Sequence, residues 1–320
     1  MNTIPLIFNE KQIRRTILGG TEAPQDVQVP AAAVLLNHSG NQYRDQTLDN
    51  LQKNGFESII SIESSQDNYL IEDLSRRFPA VTFVLLHEEA TLGEMINTAV
   101  AETSAPYFFV LRDSLKITAQ LINPRFFGYP GQTGSLVVSP RLFSRDMRPL
   151  PIGYAPAIDR SRFTVRVSPE ISEGGKTLYP YDFVGLYNRG KFMQLGGFDH
   201  TITAPYWQNL DFALRAWLWG EFITLSPRLQ ISYDTDPVEP DASANAAYQR
   251  FYLKNIAPVV KTGYGYIPGS AFFSYWQRSR AGFFTARRQF SEGRRWVEAN
   301  RFRFTQDIHS LCAAWEREAE

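Results

Sequence analysis

Short apolar runs alternate with helical stripes between residues 31 and 111, and this alternation constrains the fold more than any other feature of the chain. Residues 31–36 (AAAVLL), 58–62 (SIISI), 81–86 (VTFVLL) and 107–111 (YFFVL) are continuous apolar segments, as expected of parallel strands covered on both faces. Between them, Tyr43, Thr47, Leu48 and Leu51, then Leu70, Ile71, Leu74 and Phe78, then Leu92, Met95, Ile96, Ala99 and Val100 recur at helical spacing. Gly55 and Pro79 stop the first two stripes. Strand–helix alternation over about 80 residues implies an α/β fold with a mostly parallel sheet flanked by helices. In such sheets ligands collect beyond the carboxyl ends of the strands. Attention therefore falls on the loops at 37–41, 63–67, 87–91 and 112–114.

The rest of the chain is less periodic. Residues 1–30 carry Gly19-Gly20, Pro24 and Pro30 and read as an irregular surface arm. Residues 135–139 (SLVVS) and 228–233 (RLQISY) read as strands, and 163–168 (FTVRVS) as an edge strand or hairpin arm. A Pro/Asp-rich linker at 234–240 closes a domain spanning 31–240. Residues 241–320 read as a helical C-terminal extension, with Ala244, Ala247, Tyr248, Phe251 and Tyr252 on one helical face.

Bulk properties exclude some functions. Lys+Arg and Asp+Glu balance at 33 each, so no global field draws the chain to nucleic acid or to an anionic membrane. A single cysteine, Cys312, precludes an internal disulfide and suits a reducing compartment. No apolar run approaches the roughly 20 residues of a spanning helix, and the N-terminal residues lack a secretory pattern. The expectation is a cytoplasmic chain, with contact at the inner face of a membrane left open.

Three blocks in fixed order carry a family resemblance. The first is 34–68 (VLLNHSGNQYRDQTLDNLQKNGFESIISIESSQDN), the second 91–114 (TLGEMINTAVAETSAPYFFVLRDS) and the third 195–220 (LGGFDHTITAPYWQNLDFALRAWLWG). Together they resemble the family 2 glycosyltransferases, inverting enzymes of the GT-A fold. The likeness covers roughly residues 31–235 and implies transfer of a sugar from a nucleotide-sugar donor, such as a UDP-sugar, to a glycan or lipid-linked hydroxyl acceptor. Glu63 matches the family's base-binding acid, with Asn37 in the loop region after the first strand. Gly93 and Asn97 match its Gly…Asn helix, and Gly196-Gly197-Phe198-Asp199 its Gly-Gly turn.

The chain departs from the family where the chemistry belongs. Arg112-Asp113-Ser114 stands where an Asp-x-Asp metal motif is expected, and Gln208-Asn209 where an acidic pair is expected. An amide cannot take a proton at neutral pH. Asp113 remains a ligand for Mn2+ or Mg2+ if substrate phosphates complete the shell, and Arg112 offers a guanidinium to the diphosphate instead. Asp211, or Asp199 in reserve, is left as the carboxylate to activate the acceptor. Asp211 and Arg215 are also spaced i, i+4, and a surface pair of that kind stabilises by only about 0.2–0.5 kcal/mol without any function. His200 is a candidate metal or phosphate contact, whereas His38 and His87 lack zinc-site spacing. Tyr206 and Trp207 could stack on a sugar or base, or pack in the core.

Two questions stay open. Losing both acidic motifs is also what a silent GT-A module would show, one binding sugar, nucleotide or a protein partner as a scaffold. In residues 271–303 aromatics mix with arginines. That segment would pack as a lid or homodimer surface, or lie on a membrane with its aromatics exposed.

Overall fold

The computed structural model describes residues 11–37, 44–64, 71–128, 134–160, 162–168 and 171–319. The four apolar runs form strands β2 (Val29–Asn37), β3 (Phe56–Glu63), β4 (Val81–Leu86) and β5 (Tyr107–Arg112). Helices α1 (Arg44–Lys53), α2 (Ile71–Arg77) and α3 (Leu92–Ala101) connect them. His38 and residues 65–67, in two of the loops singled out by the sequence, lie outside the described residues.

Residues Arg15–Gly19 correct one expectation: they are not part of an irregular arm but strand β1, antiparallel to β4 from Arg15↔Leu86 to Gly19↔Thr82. They flank an edge, carry little apolar periodicity, and owe their conformation to the β4 ladder. Further on come β6 (Val137–Phe143), the hairpin β7 (Tyr154–Asp159) and β8 (Arg162–Val167), β9 (Gly185–Asn188), α4 (Arg189–Leu195), α5 (Pro205–Leu218) and β10 (Ile223–Ser232).

Among the described residues the main sheet runs β1-β4-β3-β2-β5-β9-β6-β10. β2 pairs in parallel with both β3 and β5. The chain winds outward from β2 through β3 to β4, then crosses back to place β5 on the other side. That reversal makes the carboxyl ends of β2 and β5 the topological switch point, the place where such sheets bind ligands. β9 runs antiparallel between β5 and β6. Its N-terminal residue, Gly185, pairs with Val110, so the residues just before β9 arrive at the same end of the sheet.

Helix α5 is buried on every side, from Trp207 through Leu218. A helix buried all round lies between two layers. Here the second layer is the C-terminal extension: α6 (Ala246–Phe251) with a π turn over Tyr252–Ile256, the hairpin β11 (Val259–Lys261) and β12 (Tyr264–Tyr266), then α7 (Ala271–Ser279), α8 (Phe283–Ala299) and α9 (Ile308–Ala319). Tryptophans from α5 and its end make the seam. Trp207 meets Tyr248 at 4.8 Å and Phe251 at 5.0 Å, Trp217 meets Trp315 at 4.8 Å, and Trp219 stacks on Trp296 at 6.0 Å.

Candidate functional site

The switch point gathers strand ends. Asn37 and Glu63 are register partners on β2 and β3. Both are buried, and Asn37 Nδ2 donates to Glu63 Oε2 at 3.1 Å. Ser61 Oγ donates to Glu63 Oε1 at 2.7 Å, and the Arg44 guanidinium pairs with the same oxygen. Glu63 is therefore the hub of a closed polar cluster. Its carboxylate is already satisfied by Asn37, Ser61 and Arg44, so engaging a nucleotide base would require exchanging one of those partners.

Across the switch point, Arg112 ends β5 and Asp113 follows, its backbone N–H donating to Leu36 O at 3.2 Å. The Arg112 guanidinium is largely buried, and its Nε and Nη1 find no hydrogen-bond partner among the described residues. Its nearest carboxylate is Asp182, with Nε 3.8 Å from Oδ2, beyond hydrogen-bond range. A buried guanidinium with unspent donors is a receptor for an anion.

Asp182 is the residue that sequence reasoning missed. It sits three residues before β9 in a turn with φ 50°, ψ 31°, and Phe183 follows at φ 63°. Two successive non-glycine residues in the left-handed region cost of the order of 1–3 kcal/mol each, and such strain gathers at functional sites. Tyr187 Oη donates to Phe183 O at 2.8 Å and Tyr233 Oη to Asp182 Oδ2 at 3.1 Å, which holds the turn. Burial raises the Asp182 pKa, opposed by the Arg112 charge and the Tyr233 hydrogen bond and reinforced by Asp113. Burial likewise drives the Tyr233 hydroxyl upward, so it stays a neutral donor. No motif marks Asp182. The only local signal is an acidic residue in the Pro180-Tyr181-Asp182 segment ahead of a short strand.

The Gly-Gly turn and the two amides explain one another. Gly196 caps α4 at φ 86°, and Gly197 follows at φ 70° with its missing Cβ pointing 2.5 Å from Asn97 Oδ1. Asn97 grips the next residue reciprocally: Nδ2 donates to Phe198 O at 2.8 Å and Oδ1 accepts from Phe198 N at 2.9 Å. Gln208 Oε1 accepts from Gly93 N at 2.9 Å, and its Nε2 donates to Thr91 Oγ1 and Asp199 O. Asn209 Nδ2 donates to Pro180 O at 2.7 Å, tethering the turn that carries Asp182. The amides at 208 and 209 thus clamp the start of α3 and the Asp182 turn.

Asp211 and Asp199 are brought together on one lysine. Lys254 Nζ bridges them, 2.9 Å from Asp211 Oδ2 and 2.8 Å from Asp199 Oδ2. Arg215 Nη2 lies 3.2 Å from Asp211 Oδ2, and Asn255 Nδ2 donates to Oδ1 at 2.8 Å. Lys254 and Asn255 are neighbours in the π turn and both reach the same carboxylate. Arg250 and Thr201 complete the shell of Asp199. Burial pushes the Asp199 carboxyl up, but the Lys254 and Arg250 charges prevail and hold it well below the ordinary value. Asp211 is fully buried with both oxygens engaged. It is not the exposed i, i+4 pair suggested by the spacing, because the extension covers that face of α5.

His200 is half-buried, with Nδ1 unpartnered among the described residues. Among those residues no three metal-capable side chains gather, at Asp113, at His200 or elsewhere. The side chains therefore do not fit a protein-built divalent cage. Asp113 and Asp182 are two neighbouring carboxylates, fewer than such a cage needs without substrate oxygens. Trp207 is buried, its Nε1 donating to Ser243 O at 2.8 Å, and serves the seam with the extension.

No protein-family model matches the chain, and no curated protein does. Its fold does have solved counterparts. A crystal structure of GalNAc-T7 with UDP, GalNAc and Mn2+ superposes with a TM-score of 0.59 at 11% identity, covering 90% of this chain and 57% of that one. The chain thus spans little more than half the length of that structure. The mannosyltransferase PcManGT from Pyrobaculum calidifontis, in complex with GDP-Man and Mn2+, is a looser likeness: TM-score 0.41, 12% identity, 97% of this chain and 79% of that one. The chain has the mixed α/β, mostly parallel fold of GT-A glycosyltransferases.

Proposed function

We propose that the protein is a nucleotide-sugar-dependent, inverting glycosyltransferase whose proton acceptor is Asp182. The observation that carries this is the convergence, at the switch point of the sheet, of an anion-receptive Arg112 with Asp113 and a carboxylate of raised pKa. In this reading Arg112 takes the diphosphate charge, and Asn37, Glu63 and Asp113 line the donor side. The acceptor hydroxyl oxygen bonds to the sugar C1 as the C1–O bond to the diphosphate breaks. The electron pair leaves with the nucleoside diphosphate, and the hydroxyl proton passes to Asp182. A pKa raised toward working pH suits that task. Asp211 and Asp199, the sequence-based choices, are assigned to architecture because their oxygens are spent on Lys254, Arg215, Asn255 and Thr201. Mn2+ or Mg2+ is assigned no step. Family 2 membership is proposed on the sequence blocks alone.

A silent binding module remains the second reading, supported by Gln208 and Asn209 having become structural clamps. Calorimetric titration with UDP and GDP, with and without Mn2+, separates the readings when paired with donor turnover. Binding that weakens at least about tenfold in Arg112→Ala, with turnover lowered by about 10²–10⁴-fold in Asp182→Asn, supports the enzyme. Binding without turnover supports the module, and no binding at millimolar nucleotide removes the enzyme reading and the Glu63 assignment.

A further inference from the structure

The C-terminal extension presents a surface that neither the donor site nor the core accounts for. Residues 271–303 contain eight arginines and two glutamates, in a chain whose charges cancel only as a whole. The sequence left open whether the aromatics here pack or stay exposed. The structure divides them. Tyr275 and Phe290 are buried against the extension, whereas Phe273 is 68% exposed, Phe284 82%, Phe283 40% and Trp276 37%.

The exposed rings are contiguous. Phe283 lies 5.7 Å from Phe284, 5.2 Å from Trp276 and 5.6 Å from Phe272, and Phe272 lies 5.5 Å from Phe273. They run from the first turn of α7, at Phe272 and Phe273, through Trp276 to the start of α8 at Phe283 and Phe284. Down α8, Arg287, Arg288, Arg294 and Arg295 are all exposed. At 100° per residue these four fall within one arc that also contains Phe283 and Phe284. The buried side of the helix is Ala286, Phe290, Gly293 and Val297. Among the described residues none of the four arginines has a salt-bridge partner. A groove of about 680 Å³ runs between the helices, with Phe272, Phe283 and Phe290 on its walls and Arg287, Arg294 and Arg295 along it.

We propose that the α7–α8 hairpin docks the protein on an anionic lipid bilayer. The aromatic cluster would enter the headgroup region, where amphipathic and aromatic rings are favoured. The arginine row would meet lipid phosphates, each guanidinium adding attraction near a negative surface. Charge decides between the occupants that an apolar patch could take. A second copy would set this cationic face against its own like, whereas an anionic surface complements it. Docking lies on the surface rather than across the membrane, since no described helix is long and apolar enough to span one. The proposal does not depend on the glycosyltransferase reading.

The test is sedimentation of the full chain with vesicles of phosphatidylcholine alone and with vesicles containing phosphatidylglycerol. Binding to the second kind only, reversed by salt, is expected. Phe273→Ser with Phe284→Ser should lower the partition coefficient by roughly tenfold per ring. Arg287→Glu with Arg294→Glu should lower it by at least roughly fivefold per site. All four side chains are exposed, so thermal melting and nucleotide binding should not move, which keeps this test independent of the catalytic one. Three results overturn the proposal: absence of binding to either vesicle; a single-stranded RNA oligonucleotide binding where vesicles do not; and a dimer by light scattering that the phenylalanine variants dissolve while vesicles are ignored.

Discussion

Asp211→Ala is the substitution that best separates architecture from catalysis in this protein. Asp211 is fully buried and accepts from Lys254, Arg215 and Asn255 at 2.9, 3.2 and 2.8 Å. Removing it leaves the Lys254 ammonium inside the protein with only the Asp199 carboxylate, and leaves the Asn255 amide with only its longer bond to Phe251 O at 3.2 Å. Breaking a buried ion pair by deleting one partner costs about 3–5 kcal/mol, because the surviving charge stays desolvated. The lower half of that range applies here. Arg215 still donates to Leu195 O and Gly197 O, and Lys254 still has Asp199 and the face of Trp296 at 4.6 Å. Even about 3 kcal/mol is a large share of the roughly 5–15 kcal/mol that holds an ordinary domain together. The assay is urea unfolding followed by tryptophan fluorescence, since Trp207, Trp217 and Trp219 sit in the seam that would loosen. In parallel, nucleotide affinity is measured on the folded variant, where no change is expected. A variant within about 1 kcal/mol of the parent, a size ordinary for surface substitutions, would refute the structural account. If such a stable variant also lost turnover, Asp211 would regain the role suggested by its position in the sequence.

Asp182→Asn should behave in the opposite way. The raised pKa of Asp182 means that its charged form is disfavoured on folding, so its contribution is fully present below the unfolded carboxylate value near 3.9 and lost as pH rises through the folded value. Neutralising it should leave unfolding free energy at pH 7 unchanged or increased, while sugar transfer falls by about 10²–10⁴-fold, the worth of a general base; a destabilised variant with normal turnover contradicts this. Asp199 has the reverse sign. Its depressed pKa supplies stability above about pH 3.9 that is lost as pH falls further, so urea midpoints measured from pH 7 downward should stay level to about pH 5 and drop below about pH 4. Gly93→Ala would place a Cβ 2.5 Å from Phe198 Cβ and 2.6 Å from Gln208 Cδ. Such overpacking costs about 1–3 kcal/mol, and an unchanged thermal midpoint would show that the α3 clamp is slack.

Much of the architecture is legible along the chain because its signals are local. The four strands and the stripe from Leu92 to Val100 follow from apolar periodicity, and Gly196-Gly197 follows from a backbone that only glycine adopts without strain. The family resemblance picked out Gly93 and Asn97 as a pair, and the structure supplies the reason: Asn97 grips Phe198, and Gly93 leaves room for Phe198 and donates to Gln208. Strand β1 escaped because an edge strand with one covered side has a weak pattern, and its conformation is lent by β4.

The site divides along the same physical line. Sequence by itself determined the mostly parallel sheet and hence that Asn37, Glu63, Arg112 and Asp113 sit at strand ends; the switch point between β2 and β5 came with the strand order. Sequence could not determine which carboxylates are spent. Periodicity tells which residues share a face of α5, but not whether that face meets water or another layer, and here the extension from residue 246 onward covers it and supplies Lys254 to Asp211 and Asp199. Nor could it bring Asp182 to Arg112, because that meeting depends on β9 pairing antiparallel with β5, a contact between segments some 70 residues apart that no local pattern encodes. Tertiary structure decided both matters, since burial and long-range pairing, rather than residue type, determine which charges are satisfied and which are left for a ligand.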